Sequence, residues 1–307
     1  MFHSKKSSWQ LLAVGALAVT AAFTLAACSS NKSATSSNNA HAIKVVSTVD
    51  FYGEVAKAVL GNQGSVTSII DNPDVDPHDY EPTTKVAQQV AGANVLLSNG
   101  IGYDTWMDKL AQNNSKATNI HVGEDIVGKK NGDNPHLWYR QQTMPALANY
   151  LAAKFAKMDP KKADYFKANA KKYIATLAPV DQLISKLKAG SDGKGVDVSE
   201  PVFTYALDEM NYKVNNQSFA DSVENGTDPA PKDVAAMQED IIHHKIDFFV
   251  QNTQASDKTV VQLVKLAHEH NVPVVDVTET MPAGKDYVQW MTSQFKQVEK
   301  IQAKLGK

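Results

Sequence analysis

From Ile43 onward, apolar positions follow two alternating periods. "IKVVSTV" is a short run rich in β-branched residues, which fits a buried strand. In the "FYGEVAKAVLG" that follows, Phe51, Val55 and Val59 share one helical face, with Asp50 at the capping position. The pair then repeats. "SVTSII" reads as a strand, "TTKVAQQVAG" as a helix capped by Thr83 and stopped by Gly92, and "ANVLLS" as a strand; "YDTWMDKLAQN" is a helix and "TNIHV" a strand. Strands alternating with helices predict a mostly parallel sheet covered on both faces.

Between about Met144 and Leu187 the strand signal disappears. "MPALANYLAAKFAKM" and "PKKADYFKANAKKYIATLAPVDQLISKLKAG" keep helical spacing, with Pro160 in the first turn and Gly190 as a stop. Unbroken, the second stretch would span ~45 Å, enough to bridge two lobes, with a kink allowed at Pro179. After Gly195 the alternation resumes with the strand "GVDVSE" and the helix "PVFTYALDEMN". The helix "PKDVAAMQEDIIHHK", the strand "IDFFVQ", the helix "DKTVVQLVKLAHEHN", the strand "VPVVDV" and a last helix from about Asp286 complete it. The expected architecture is α/β with two lobes: residues 43–158, a linking helix over 159–190, and residues 191–307. A chain of 307 residues has the length for two such cores.

The N-terminus departs from this pattern. Lys5 and Lys6 precede the apolar run "LLAVGALAVTAAFTLAAC", which has the layout of a secretory signal over residues 1–27. Its ending, Leu25-Ala26-Ala27-Cys28, resembles a bacterial lipobox, which implies a lipid on Cys28, the chain's only cysteine. The polar stretch up to residue 42 reads as a tether. Loss of residues 1–27 removes two lysines and no acid, moving the net charge from -2 to -4. Arg140 is the only arginine, so nucleic acid is not an expected partner.

In open parallel sheets, ligands sit beyond the carboxyl ends of the strands. His78 lies in the loop after "SVTSII", within "DVDPHDYEPT". His136, in "DNPHLW", follows the last strand of the first lobe; Glu200 ends "GVDVSE", and Glu279 follows "VPVVDV". Imidazole with carboxylate is a donor set for a divalent transition metal, Zn²⁺ or Mn²⁺. Four protein ligands would leave no place for a catalytic water. Glu200 could instead cap the helix opened by Pro201, and Glu279 could be a surface carboxylate. Asp74, Asp76, Asp79 and Glu81 are expected to orient the His78 loop or face water.

The stretches "DPHDYEPT", "NGIGYDTWMDKL", "NPHLW" and "EPVFTY" occur in an order and spacing similar to the metal-binding lipoproteins of bacterial ABC importers for zinc and manganese. That resemblance extends from about Ile43 to the C-terminus. It implies two lobes joined by a long rigid helix, with metal ligands His78, His136 and, at a position that is histidine or glutamate in the family, Glu200. The fourth ligand is usually aspartate; here "DVTETMP" offers Glu279, with Asp276 as the alternative. It further implies capture of one metal ion as cargo, not catalysis, by a monomer anchored through Cys28 to the outer face of the cytoplasmic membrane. An ABC permease and its cytoplasmic ATPase would be the partners, and no phosphate-binding "GxxxxGK[ST]" loop occurs in this chain. A secreted metallohydrolase using the same residues, and a surface adhesin, are the competing expectations.

Overall fold

The computed structural model describes residues 42–75, 77, 80–254 and 257–306. Residues 1–41, which include Cys28, the expected signal and most of the expected tether, lie outside them, as do Asp76, His78 and Asp79. The alternating pattern becomes two four-stranded sheets, each entirely parallel and each with the same strand order. The first contains β1 (Ile43–Val49), β2 (Gly64–Ile70), β3 (Val95–Ser98) and β4 (Thr118–His121) in the order β2-β1-β3-β4. The second contains β5 (Gly195–Val198), β6 (Lys213–Val214), β7 (Phe249–Asn252) and β8 (Val274–Val277) in the order β6-β5-β7-β8. In each sheet the order reverses beside the first strand, which opens a crevice at the carboxyl ends of β1 and β3 and of β5 and β7.

Helices α1 (Asp50–Leu60), α2 (Thr84–Ala91) and α3 (Thr105–Ala111) connect the first sheet. Thr83 caps α2 as expected, its Oγ1 accepting from the Val86 N–H at 3.4 Å. Asp50 does not hold the capping position of α1: it is the first helical residue, and Val49 stands before it. Burial, partly offset by nearby backbone N–H groups, pushes its carboxyl up to about 6.

The helical stretch between the sheets is α4 (Thr143–Met158), α5 (Ala163–Thr176) and α6 (Ala178–Ser191). The expected long helix is divided at Leu177 because Pro179 sits in the first turn of α6 and lacks the N–H that would continue the ladder. The second sheet carries α7 (Thr204–Glu209), α8 (Gln217–Glu224), α9 (Pro231–Ile242), α10 (Lys258–Glu269) and α11 (Tyr287–Lys304). Two of these elements have no counterpart in the sequence reading. β6 is two residues long, too short for alternation to register, and α8 follows it in a polar stretch.

One apolar cluster runs from the first sheet through α4–α6 into the second sheet. It includes Val45, Phe51, Leu97, Trp138, Phe155, Leu187, Val198, Phe248 and Trp290. A second, smaller cluster lies on the far face of the second sheet, around Phe219, Met237, Phe249 and Leu263.

Candidate metal centre

His136 is fully buried and precedes a 3-10 turn, Leu137–Tyr139. Asn134 Oδ1 accepts both its backbone N–H, at 2.9 Å, and its ring Nδ1–H, at 2.8 Å. Asn134 cannot be turned around in this network, since its Nδ2 donates to the Pro201 carbonyl at 2.8 Å. The proton therefore belongs on Nδ1, and Nε2 carries the lone pair. That nitrogen faces Glu224 Oε1 at 3.8 Å and Glu279 Oε1 at 4.0 Å, both from the second half of the chain. These separations exceed a hydrogen bond, yet they fall within the limit of about 4.2 Å for two donors each ~2.1 Å from a shared ion.

The "NGIGYD" turn builds the floor beneath this histidine. Asp104 accepts from the N–H of Asn99 at 2.7 Å and of Gly100 at 2.9 Å, and burial raises its pKa against those bonds. The turn carries positive φ at Gly100, Ile101 and Gly102. A Cβ on Gly100 would collide with the Glu124 carboxylate. Held in this way, Asn99 accepts from the Tyr52 hydroxyl at 2.7 Å and donates to the carbonyl of Pro135, directly before His136, at 3.1 Å. Trp138 is buried behind the histidine, edge-on at 5.3 Å, so it supports the imidazole and is not an open cleft wall. Tyr103 and Trp106 are core residues. Tyr103 also reaches the centre: its hydroxyl faces the Glu279 carboxylate, and burial followed by that charge holds its pKa well above the usual phenol range.

Glu279 is buried, which removes the surface-carboxylate reading. Its loop is clamped by Gln254, whose Oε1 accepts from the N–H of Glu279 at 2.6 Å and of Thr280 at 3.1 Å. Gln254 Nε2 also donates to the Pro73 carbonyl at 2.5 Å, and the Thr280 hydroxyl to the same carbonyl at 3.1 Å. Pro73 belongs to the loop that leads to His78, so the two loops are tied together across the cleft. Asp276, the alternative fourth ligand, is exposed on β8, its backbone paired with the Gln297 amide, away from His136.

Glu200 follows β5 at the reversal point of the second sheet. It makes no helix-capping bond; its Oε2 accepts from Asn252 Nδ2, at the end of β7, at 2.7 Å. Of the acids around His78, Asp74 and Glu81 face water. His78, Asp76 and Asp79 lie outside the described residues. Among the described residues, no group of three or more His, Cys, Asp or Glu side chains converges tightly enough to hold a metal. Glu224 went unread because it ends the unpredicted helix α8 and sits in no motif. A capless amphipathic octet between Asn216 and Gly226 was the one available signal.

Hydrogen bonds cross between the halves around this centre. The Tyr205 hydroxyl donates to the Asn134 carbonyl at 2.9 Å, and the Tyr287 hydroxyl to the Trp138 carbonyl at 2.6 Å. The Tyr139 hydroxyl donates to the Thr278 carbonyl, one residue before Glu279, at 2.6 Å.

Residues 45–301 match the family described as zinc-uptake complex component A periplasmic (ZnuA). The chain belongs to this family. It is 30% identical over 199 residues to the iron ABC transporter substrate-binding lipoprotein MtsA of Streptococcus pyogenes, covering 60% of this chain and 63% of that protein. It is 25% identical over 266 residues to the metal ABC transporter substrate-binding lipoprotein ScbA of Streptococcus cristatus, covering 81% and 83%. The periplasmic zinc-binding protein TroA of Treponema pallidum superposes with a TM-score of 0.70 at 16% identity, covering 85% of this chain and 99% of that one. The likeness to TroA is one of fold.

Proposed function

We propose that this chain is the extracytoplasmic metal-binding component of an ABC importer, taking one divalent transition metal ion as cargo and passing it to a permease driven by a separate ATPase. The observation that carries this reading is the His136 imidazole. Its Nδ1–H is committed to Asn134, and its Nε2 lies within 4.0 Å of two carboxylates from the opposite half of the chain. A carbonyl-type acceptor fixing the remote nitrogen of a metal-binding histidine is the usual outer-sphere arrangement, and it keeps the near nitrogen unprotonated. The proposed ligands are His136 and Glu279, with His78 and Glu200 completing the set and Glu224 beside them. Cys28 is proposed to carry lipid that holds the protein at the outer face of the cytoplasmic membrane, in keeping with the lipoprotein names of MtsA and ScbA.

The donor set is rich in oxygen, which favours manganese as cargo over a zinc-type set of three histidines; iron, named for MtsA, fits the same donors. Affinity order would still place zinc above manganese in solution, so cargo is decided by elemental analysis of protein isolated from its own host without added metal. The bonds across the cleft support delivery through local loop movement, not a wide hinge.

Titration of Mn²⁺ and Zn²⁺ into the metal-stripped protein and its His136→Ala and Glu279→Ala variants tests the reading. The parent is expected to gain about 2.7 kcal/mol of stability at a hundredfold excess over Kd, and His136→Ala to gain almost nothing. Equal stabilisation of parent and His136→Ala would place the metal elsewhere. Retained metal with lost hydrolysis in Glu279→Ala would favour a hydrolase, and no response of the parent to metal would favour a metal-independent adhesin.

A further inference from the structure

The charge on this chain is unevenly distributed. Residues 154–172, spanning the end of α4 and most of α5, hold seven lysines and two aspartates in a protein of net charge -2. Lys157, Lys161, Lys162, Lys167, Lys171 and Lys172 are all exposed, and Asp164 offsets only Lys167, at 3.8 Å. Two of the five large apolar side chains left exposed among the described residues, Met158 and Tyr165, stand in the same patch. Lysines surrounding a methionine and a tyrosine make a surface of positive charge with a small apolar centre, the composition of a segment that lies on a lipid headgroup layer.

The patch also sits where the chain enters the fold. The Ile43 N–H donates to the Gln63 carbonyl at 3.2 Å, and the adjacent Asn62 is bonded to the Tyr165 hydroxyl. Asn169 Nδ2 donates to the Val59 carbonyl at 3.1 Å in the same corner. Fourteen residues of Ser/Asn-rich sequence separate Cys28 from Ile43. Such a stretch spans about 20 Å as a coil and at most about 50 Å extended. On a coiled tether, an anchor at Cys28 therefore brings this corner to the bilayer more readily than the far lobe.

We infer that the lysine-rich corner formed by the α4–α5 turn and α5 docks on anionic phospholipid headgroups when the chain is membrane-anchored. This inference rests on the membrane anchoring proposed above. Ile43 lies at the amino end of β1 and the candidate metal centre at the carboxyl ends of the strands, so docking turns the cleft toward the medium. Capture and delivery then become two orientations of one tethered body, and delivery requires the corner to leave the lipid.

The test uses the full chain extracted from its own membrane and placed in vesicles of phosphatidylcholine with or without phosphatidylglycerol. Exposed lysines are acylated with a water-soluble reagent and read by mass spectrometry. Labelling at Lys161, Lys162, Lys167 and Lys171 should fall about fivefold in the anionic vesicles, the factor that one lysine's attraction to such a surface yields. Lys232, Lys245 and Lys265 should not change. Half-molar salt, or Lys161→Glu, Lys162→Glu and Lys167→Glu combined, should abolish the difference. Equal labelling in both vesicles, as an acidic protein partner would give, overturns the proposal, and so does protection that persists in the triple variant. The mass of the N-terminal peptide reports separately whether Cys28 is lipidated, so a chain that lacks the anchor is told apart from an anchored chain that does not dock.

Discussion

The two sheets share a strand order but differ in how they are supported. β1 and β2 are each seven residues long, and the inward side chains of the first sheet join a core that continues through α4–α6. β5 has four residues and β6 two, and the second sheet divides its apolar residues between its faces. Val196, Val198, Phe248 and Val250 point into the shared core, whereas Phe249 points outward with Phe219, Met237 and Leu263 under α8–α10. Asp197, in register with Phe249, lies on that outer face, fully buried and with neither carboxylate oxygen hydrogen-bonded among the described residues. The junction of the lobes thus carries the larger apolar cluster and is expected to be the stiffer part, and the outer layer of the second lobe the softer part. Glu224 rides on that softer layer, while His136 is fixed in the stiff one, so movement at the centre is expected from the carboxylate side.

The sharpest contrast comes from deleting one phenyl ring on each side. Phe51→Ala and Phe219→Ala each remove a fully buried side chain, a change that costs about 3–5 kcal/mol in a well-packed core. Phe51→Ala should lower global stability toward the top of that range. Phe219→Ala should cost less and should speed amide exchange in α8–α10 while β1–β4 stay protected. Equal acceleration in both sheets would erase the distinction between the two layers.

A smaller effect is expected from the support of the histidine. Asn134→Ala leaves every proposed ligand in place but removes the acceptor that orients His136, and should weaken metal binding by about 10- to 100-fold in calorimetric titration. Glu224→Ala should cost less, about tenfold, if the carboxylate on the softer layer is the more adaptable partner. A larger loss for Glu224→Ala than for Asn134→Ala would reverse the assignment of stiff and soft sides.

Asp197 yields a signal that depends on pH. Burial first, and the charge of Asp240 second, push its carboxyl up to about 8, from 3.8. Between those values the folded protein holds a proton that the unfolded chain has released, so stability falls as pH rises through the window and levels off above pH 8. Asp197→Asn should remove that slope. Its melting temperature should exceed the parent's by about 7 °C more at pH 8 than at pH 5, and an unchanged difference between the two pH values would show that the carboxyl is not held in its protonated form.

Periodicity alone specified seven of the eight strands, the helical spine and the parallel character of both sheets, because side-chain alternation and helical spacing are local and need no partner to be read. Strand-end position and the flanking motifs likewise singled out His136, Glu200 and Glu279 before any contact was known. Other features depend on residues far apart in sequence. The burial of Glu279 comes from the Gln254 clamp, the proton position on His136 from Asn134 held by Pro201, and the placement of Glu224 from packing of a helix too short and polar to be read. Strand alternation on β8 also turns Asp276 outward, a choice between neighbours that composition could not make. Hydrogen bonds across more than sixty residues exist only once two sheets have closed on one core, so that part of the centre was decided by tertiary structure.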